Sequence, residues 1–165
     1  MPGTAHSQKA DSVVPIVDYR AAMGAFGILR PDSVGLAIDM QAIGRRMFWI
    51  FQFYGGFLIT SYQDVFIFAG VNVPLFFAKY LEGRIGFAPG LYEHFMGPNL
   101  GYYLEFRTSF SLGCKFPNQA VLGAELAHIS NAGLGKYNPG VEILSVFVQI
   151  PVRPMKKSPA RKPGR

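Results

Sequence analysis

The feature that most constrains this chain is a strict two-residue alternation between Tyr102 and Phe116. The even positions are Tyr102, Leu104, Phe106, Thr108, Phe110, Leu112, Cys114 and Phe116, and the odd ones are Tyr103, Glu105, Arg107, Ser109, Ser111, Gly113 and Lys115. Successive side chains of a strand point to opposite faces, so this period gives one oily face and one polar face. Residues 33 to 42 repeat the pattern, with Val34, Leu36, Ile38 and Met40 against Ser33, Gly35, Ala37, Asp39 and Gln41. Residues 81 to 93 do the same, with Ile85, Phe87, Pro89 and Leu91 against Arg84, Gly86, Ala88 and Gly90.

Eight segments carry strand character, at 20 to 28, 33 to 42, 47 to 60, 65 to 78, 81 to 93, 102 to 116, 119 to 131 and 141 to 152. The third and fourth are apolar on both faces and alternate less cleanly. Most connections hold Pro, Gly, Asp, Asn or Lys, as in Arg30-Pro31-Asp32 and Phe116-Pro117-Asn118, residues whose backbone preferences suit turns. A soluble sandwich or lipocalin also alternates, with its oily face turned inward. Here the polar face mixes small residues with opposite charges (Arg84, Glu105, Arg107 and Glu125), which fits the filled interior of a small closed barrel. The expected fold is therefore all-β, an eight-stranded antiparallel transmembrane β-barrel of outer-membrane type. Its oily face meets lipid, with Phe, Tyr and Trp49 in interfacial girdles. Closure removes the sheet edges that lipid cannot hydrate.

Composition limits the alternatives. Half of the residues are hydrophobic, yet no uninterrupted apolar run reaches the length of about 18 residues that a membrane-spanning helix needs. The net charge of +6 sits wholly in the end of the chain, where Arg153, Lys156, Lys157, Arg161, Lys162 and Arg165 have no acidic partner. Residues 1 to 152 sum to zero, so the folded part has no basic stripe for nucleic acid. The expected organisation is a flexible segment at 1–19, the barrel at 20–152 and a basic disordered tail at 153–165. Cys114 is the single cysteine, which excludes a disulfide framework and a thiolate zinc site. His6 and His94 lack convergent partners, so neither metal nor cofactor is expected.

The same parity isolates an anomaly. Leu122, Ala124, Leu126, His128 and Ser130 share the oily face of the seventh segment, and Glu142, Leu144, Val146, Val148 and Ile150 share that of the eighth. A histidine, a serine and a carboxylate thus project together toward lipid, where a basic group costs up to ~2–4 kcal/mol at the midplane and little near the interface. These are the three members of a serine hydrolase relay. On spacing alone they also fit an interfacial pair satisfied by backbone or headgroups, with Glu142 a charge at the hairpin end. Gly133, Gly135 and Gly140 fit turn positions under either reading. With both termini periplasmic, connections after the odd-numbered strands are external, which puts the three groups at the outer-leaflet boundary.

Several of these runs resemble one family. They are Asn99-Leu-Gly101-Tyr-Tyr-Leu104-Glu-Phe106, Leu112-Gly-Cys-Lys-Phe116, His128-Ile-Ser130-Asn131-Ala132-Gly133-Leu134 and Asn138-Pro-Gly140-Val-Glu142. Together they are similar to the PagL-type lipid A 3-O-deacylases, grouped with acyloxyacyl hydrolase-like proteins. The likeness covers roughly residues 85 to 152. It implies a serine-dependent carboxylic ester hydrolase of the bacterial outer membrane that removes the 3-O-linked hydroxyacyl chain of lipid A in lipopolysaccharide. Carried over by position, Ser130 is the nucleophile, His128 the general base and Glu142 the group that orients it, with the Gly133 N–H and the Asn138 side chain as oxyanion donors. Asn131 matches too, but its parity turns it from Ser130 and gives it a structural role. The first ten residues show no charged start followed by an apolar core and cleavage site, so export rests on the family likeness. The residues leave open a monomer or a homodimer. They also leave open a catalytically silent structural or lipid-binding barrel.

Overall fold

A computed structural model of the chain describes residues 18–30, 34–47 and 50–152. The N-terminal segment up to residue 17, the basic tail from 153 and Trp49 lie outside the described residues. Eight strands follow one another: β1 (Asp18–Phe26), β2 (Gly35–Met47), β3 (Phe51–Thr60), β4 (Val65–Ala78), β5 (Leu81–Glu93), β6 (Leu104–Lys115), β7 (Val121–Ser130) and β8 (Val141–Pro151). Each pairs antiparallel with the next, and β1 pairs with β8 to close the barrel.

The eight strands expected from alternation form, most within one or two residues of the expected bounds, with β1 starting at Asp18 rather than 20; the largest change falls between β2 and β3. Met47 ends β2 instead of opening the third strand, because a register shift between Ile43 and Arg46 carries β2 further before it turns. A bulge of this kind adds twist and is common at a barrel rim.

Connections differ between the two ends. At one end they span 48–50, 79–80 and 116–120; at the other they span 27–34, 61–64, 94–103 and 131–140. We refer to these as the turn end and the loop end. The outward face is largely apolar, including Leu36, Ile38 and Met40 of β2, Ile85, Phe87 and Leu91 of β5, and Leu144, Val146 and Val148 of β8.

The interior is filled in layers. Toward the turn end, Arg84 donates to Glu82 at 3.0 Å and to Gln52 at 3.1 Å. In the middle, Arg107 bridges Asp39 at 2.8 Å and Glu125 at 2.5 Å, while Arg20 holds the other Glu125 oxygen at 2.8 Å. Arg20 also lies 3.9 Å over the Phe147 ring, which fills the space left by Gly113 and Gly123. Toward the loop end an apolar plug takes over, built from Phe26, Leu58, Phe66, Phe68, Ile129, Val141 and Ile143 and capped by Leu100 from a loop. Buried charges require partners. In the middle layer the chain supplies them by placing Asp39, Glu125, Arg20 and Arg107 on inward positions of four different strands.

Candidate active site

The seventh hairpin stands on that plug. Ile129 and Val141 point inward and are fully buried, which forces His128, Ser130 and Glu142, their neighbours of opposite parity, to the outside. His128 is directly opposite Glu142 in the ladder. Their side chains meet through His128 Nδ1 and Glu142 Oε1 at 3.1 Å, with 46% and 24% of the two side chains exposed. Ser130 lies two residues further along β7 on the same face, at the edge of the loop end, opposite Phe106 of β6.

The remaining edge of the imidazole faces Gly140. A methyl group built on Gly140 would stand 2.6 Å from His128 Cε1 and 3.2 Å from Nε2. Gly140 has φ +60° and immediately precedes Val141, whose pairing with Ile129 ends the β7–β8 ladder; Ser130 follows Ile129 on the other strand. With Nδ1 committed to Glu142, the Cε1–Nε2 edge is turned along the strand toward the end where Ser130 sits. The sequence marked Gly140 as a turn glycine. Its clearance for the ring depends on a cross-strand contact that no local pattern encodes.

The loop after Ser130 is tied down by Asn131, which is fully buried. Its Nδ2 donates to the carbonyls of Leu100 at 2.9 Å and Tyr137 at 2.8 Å, joining the 94–103 and 131–140 loops. Its Oδ1 accepts the Gly133 N–H at 2.9 Å, and its own N–H donates to Asn138 Oδ1 at 3.1 Å. Arg30 adds a bond from its guanidinium to the Pro139 carbonyl, fastening the 27–34 loop to the same hairpin. Two consequences follow for the expected oxyanion donors. The Asn138 oxygen is occupied, which leaves its amide nitrogen as the free end. The Gly133 N–H, in contrast, is already engaged within an Asx turn.

A groove of about 370 Å³ opens on the outward face beside this site, lined by Ile85, Thr108, Phe110, Leu126, His128 and Glu142 together with Ser109 and Ala127. It joins the polar pair to an apolar surface. Among the described residues no group of three or more His, Cys, Asp or Glu side chains forms a metal cage.

A closed eight-stranded antiparallel barrel with a largely apolar exterior and a charge-filled interior defines a β-barrel of outer-membrane type. The chain belongs to the PagL family of lipid A 3-O-deacylases, whose model matches residues 33–151. It is 36% identical over 94 residues to the lipid A deacylase PagL of Pseudomonas aeruginosa, a match that covers 56% of this chain and 52% of that protein. The chain thus spans about half the length of that curated relative. The crystal structure of the outer membrane enzyme PagL superposes with a TM-score of 0.68 at 23% identity, covering 82% of this chain and 99% of that one. A designed transmembrane β-barrel superposes at 0.61 with 11% identity, covering 83% and 95%. At such identities these two superpositions speak to the fold.

Proposed function

We propose that this protein is a bacterial outer-membrane esterase that hydrolyses the 3-O-linked hydroxyacyl chain of lipid A. The observation that carries the reading is the His128–Glu142 contact on the outward face, with Ser130 on the same face two residues away. Polar groups facing hydrocarbon are costly, so their presence on this face points to a function there. The filled lumen directs the substrate to approach from the side, as a lipid of the surrounding leaflet.

In the proposed reaction Ser130 Oγ attacks the ester carbonyl carbon while its proton passes to His128 Nε2. Glu142 accepts the Nδ1–H bond, fixing the tautomer and stabilising the imidazolium. The negative charge moves to the carbonyl oxygen, for which the Asn138 amide nitrogen is the proposed donor. The Gly133 N–H joins it where it exchanges Asn131 Oδ1 for the oxyanion. Collapse breaks the bond to the sugar oxygen, which takes the proton from His128 and leaves as the free sugar hydroxyl. Water then attacks the acyl-Ser130 ester, gives a proton to His128 and releases the 3-hydroxy fatty acid, with the proton returning to Ser130. The reaction needs neither metal nor cofactor.

The test is mass spectrometry of lipid A from cells exporting this chain to the outer membrane, beside a Ser130→Ala variant of equal abundance. The expected result is loss of one 3-hydroxyacyl chain with the native protein only, the variant falling about a thousand-fold or more in rate. Unchanged lipid A with both proteins, from folded barrels, sinks the reading in favour of a silent barrel.

A further inference from the structure

The outward row that contains Glu142 and His128 has a third polar member. Register places Thr108 of β6 opposite His128, on the flank away from Glu142. Its side chain is exposed on the oily face and lines the groove beside His128. Its other neighbours are aromatic. Phe87 lies opposite it on β5, and Phe106 and Phe110 precede and follow it on its own face. The Phe87 and Phe106 rings are stacked at 5.9 Å, forming a wall against which the hydroxyl projects. Apart from the His128 ring opposite it, a hydroxyl set among phenyl rings toward hydrocarbon has little to bond with except what lies in the groove.

The groove continues from this row toward the turn end between Leu126, Phe110 and Ile85, a path suited to an alkyl chain. Ser130 is paired with Phe106, so Thr108 is its diagonal neighbour, a separation of about 7–8 Å between strands. An acyl chain whose carbonyl carbon rests about 3 Å from Ser130 Oγ and which enters the groove along its β6 side passes Thr108 within its first few carbons.

Resting on the esterase reading above, we propose that Thr108 recognises the hydroxyl on C3 of the acyl chain, so that the site prefers 3-hydroxyacyl esters to plain acyl esters. The C3 hydroxyl donates to or accepts from Thr108 Oγ1, and the alkyl remainder lies on Leu126, Phe110 and Ile85. Thr108 is a recognition group; it takes no part in proton transfer.

The experiment uses the purified full chain in detergent micelles and two synthetic glucosamine lipids that differ in one group, carrying either a 3-hydroxytetradecanoyl or a tetradecanoyl ester at the sugar 3-position. The native protein is expected to favour the hydroxyacyl ester by about ten-fold in kcat/KM. Thr108→Val, nearly isosteric, is expected to erase that preference, and Thr108→Ser to keep it. A Val variant that loses the same factor on both esters, or that keeps the preference, overturns the assignment. Turnover of neither ester by the native protein overturns the esterase reading and the assignment together, which separates that failure from the loss of discrimination alone.

Discussion

The ring of His128 stands over the bare Cα of Gly140, and that clearance fixes which way its Nε2 points. Replacing Gly140 with Ala puts a methyl where the ring now lies and asks an L-residue to hold φ +60°, a conformation that costs about 1–2 kcal/mol. We expect Gly140→Ala to leave a folded barrel, seen as heat-modifiable gel mobility, and to lower kcat about ten- to a hundred-fold with a smaller change in KM, since the ring is displaced from the serine. A variant with native kcat would show that the ring direction is immaterial. At this scale the sequence was partly readable. Parity alone set His128, Ser130 and Glu142 on one outward face, because inward Ile129 and Val141 alternate with them. What it left hidden are contacts between residues far apart in the chain. Examples are Asn131 reaching the Leu100 carbonyl, which engages the loop next to Gly133 and Asn138, the proposed oxyanion donors, and Thr108 arriving beside His128 through strand register.

Between strands, the middle layer of the barrel depends on one carboxylate serving two arginines. Glu125 of β7 pairs with Arg20 of β1 and Arg107 of β6, all nearly inaccessible to solvent. Removing one member of a buried network leaves uncompensated charge, which typically costs about 3–5 kcal/mol. Glu105, one layer nearer the loop end, is as deeply buried yet has no hydrogen-bond partner for either oxygen among the described residues. The two acids make a matched comparison. Glu125→Gln is expected to lower the urea midpoint of the folded form substantially, whereas Glu105→Gln, which breaks no ion pair, is expected to leave it unchanged or raise it. Equal losses at both positions would show that the network contributes nothing specific. Because Glu125 faces the lumen and His128 the exterior, activity below the midpoint should survive both changes. The strands themselves were legible because half-buried strands write their faces as alternation. The boundary between β2 and β3 was not, since residues 47 to 60 are apolar on both faces and a register shift sets where the chain turns.

For the whole molecule, the site's use depends on which leaflet it meets. The three longest connections, 27–34, 94–103 and 131–140, cluster at the end that carries Ser130, and connections of two to five residues lie at the other end with both ends of the barrel chain, Asp18 and Pro151. Outer-membrane barrels place short turns in the periplasm and long loops outside. The apolar exterior is spanned by strands of 9 to 14 residues, enough to cross a bilayer when tilted at about 45°. Such an orientation sets His128 and Ser130 near the outer-leaflet boundary, where the ester of lipid A lies and where polar side chains cost least. It is testable without reference to catalysis. In a Cys114→Ser background, a cysteine at Leu134 in the 131–140 loop is expected to react with a membrane-impermeant maleimide on intact cells. A cysteine at Tyr80, in the 79–80 turn, is expected to react only after the outer membrane is permeabilised. Reversed labelling would put the rim that carries Ser130 at the inner leaflet, and the proposed lateral attack on outer-leaflet lipid A would then be geometrically excluded, however well the serine, histidine and glutamate are arranged.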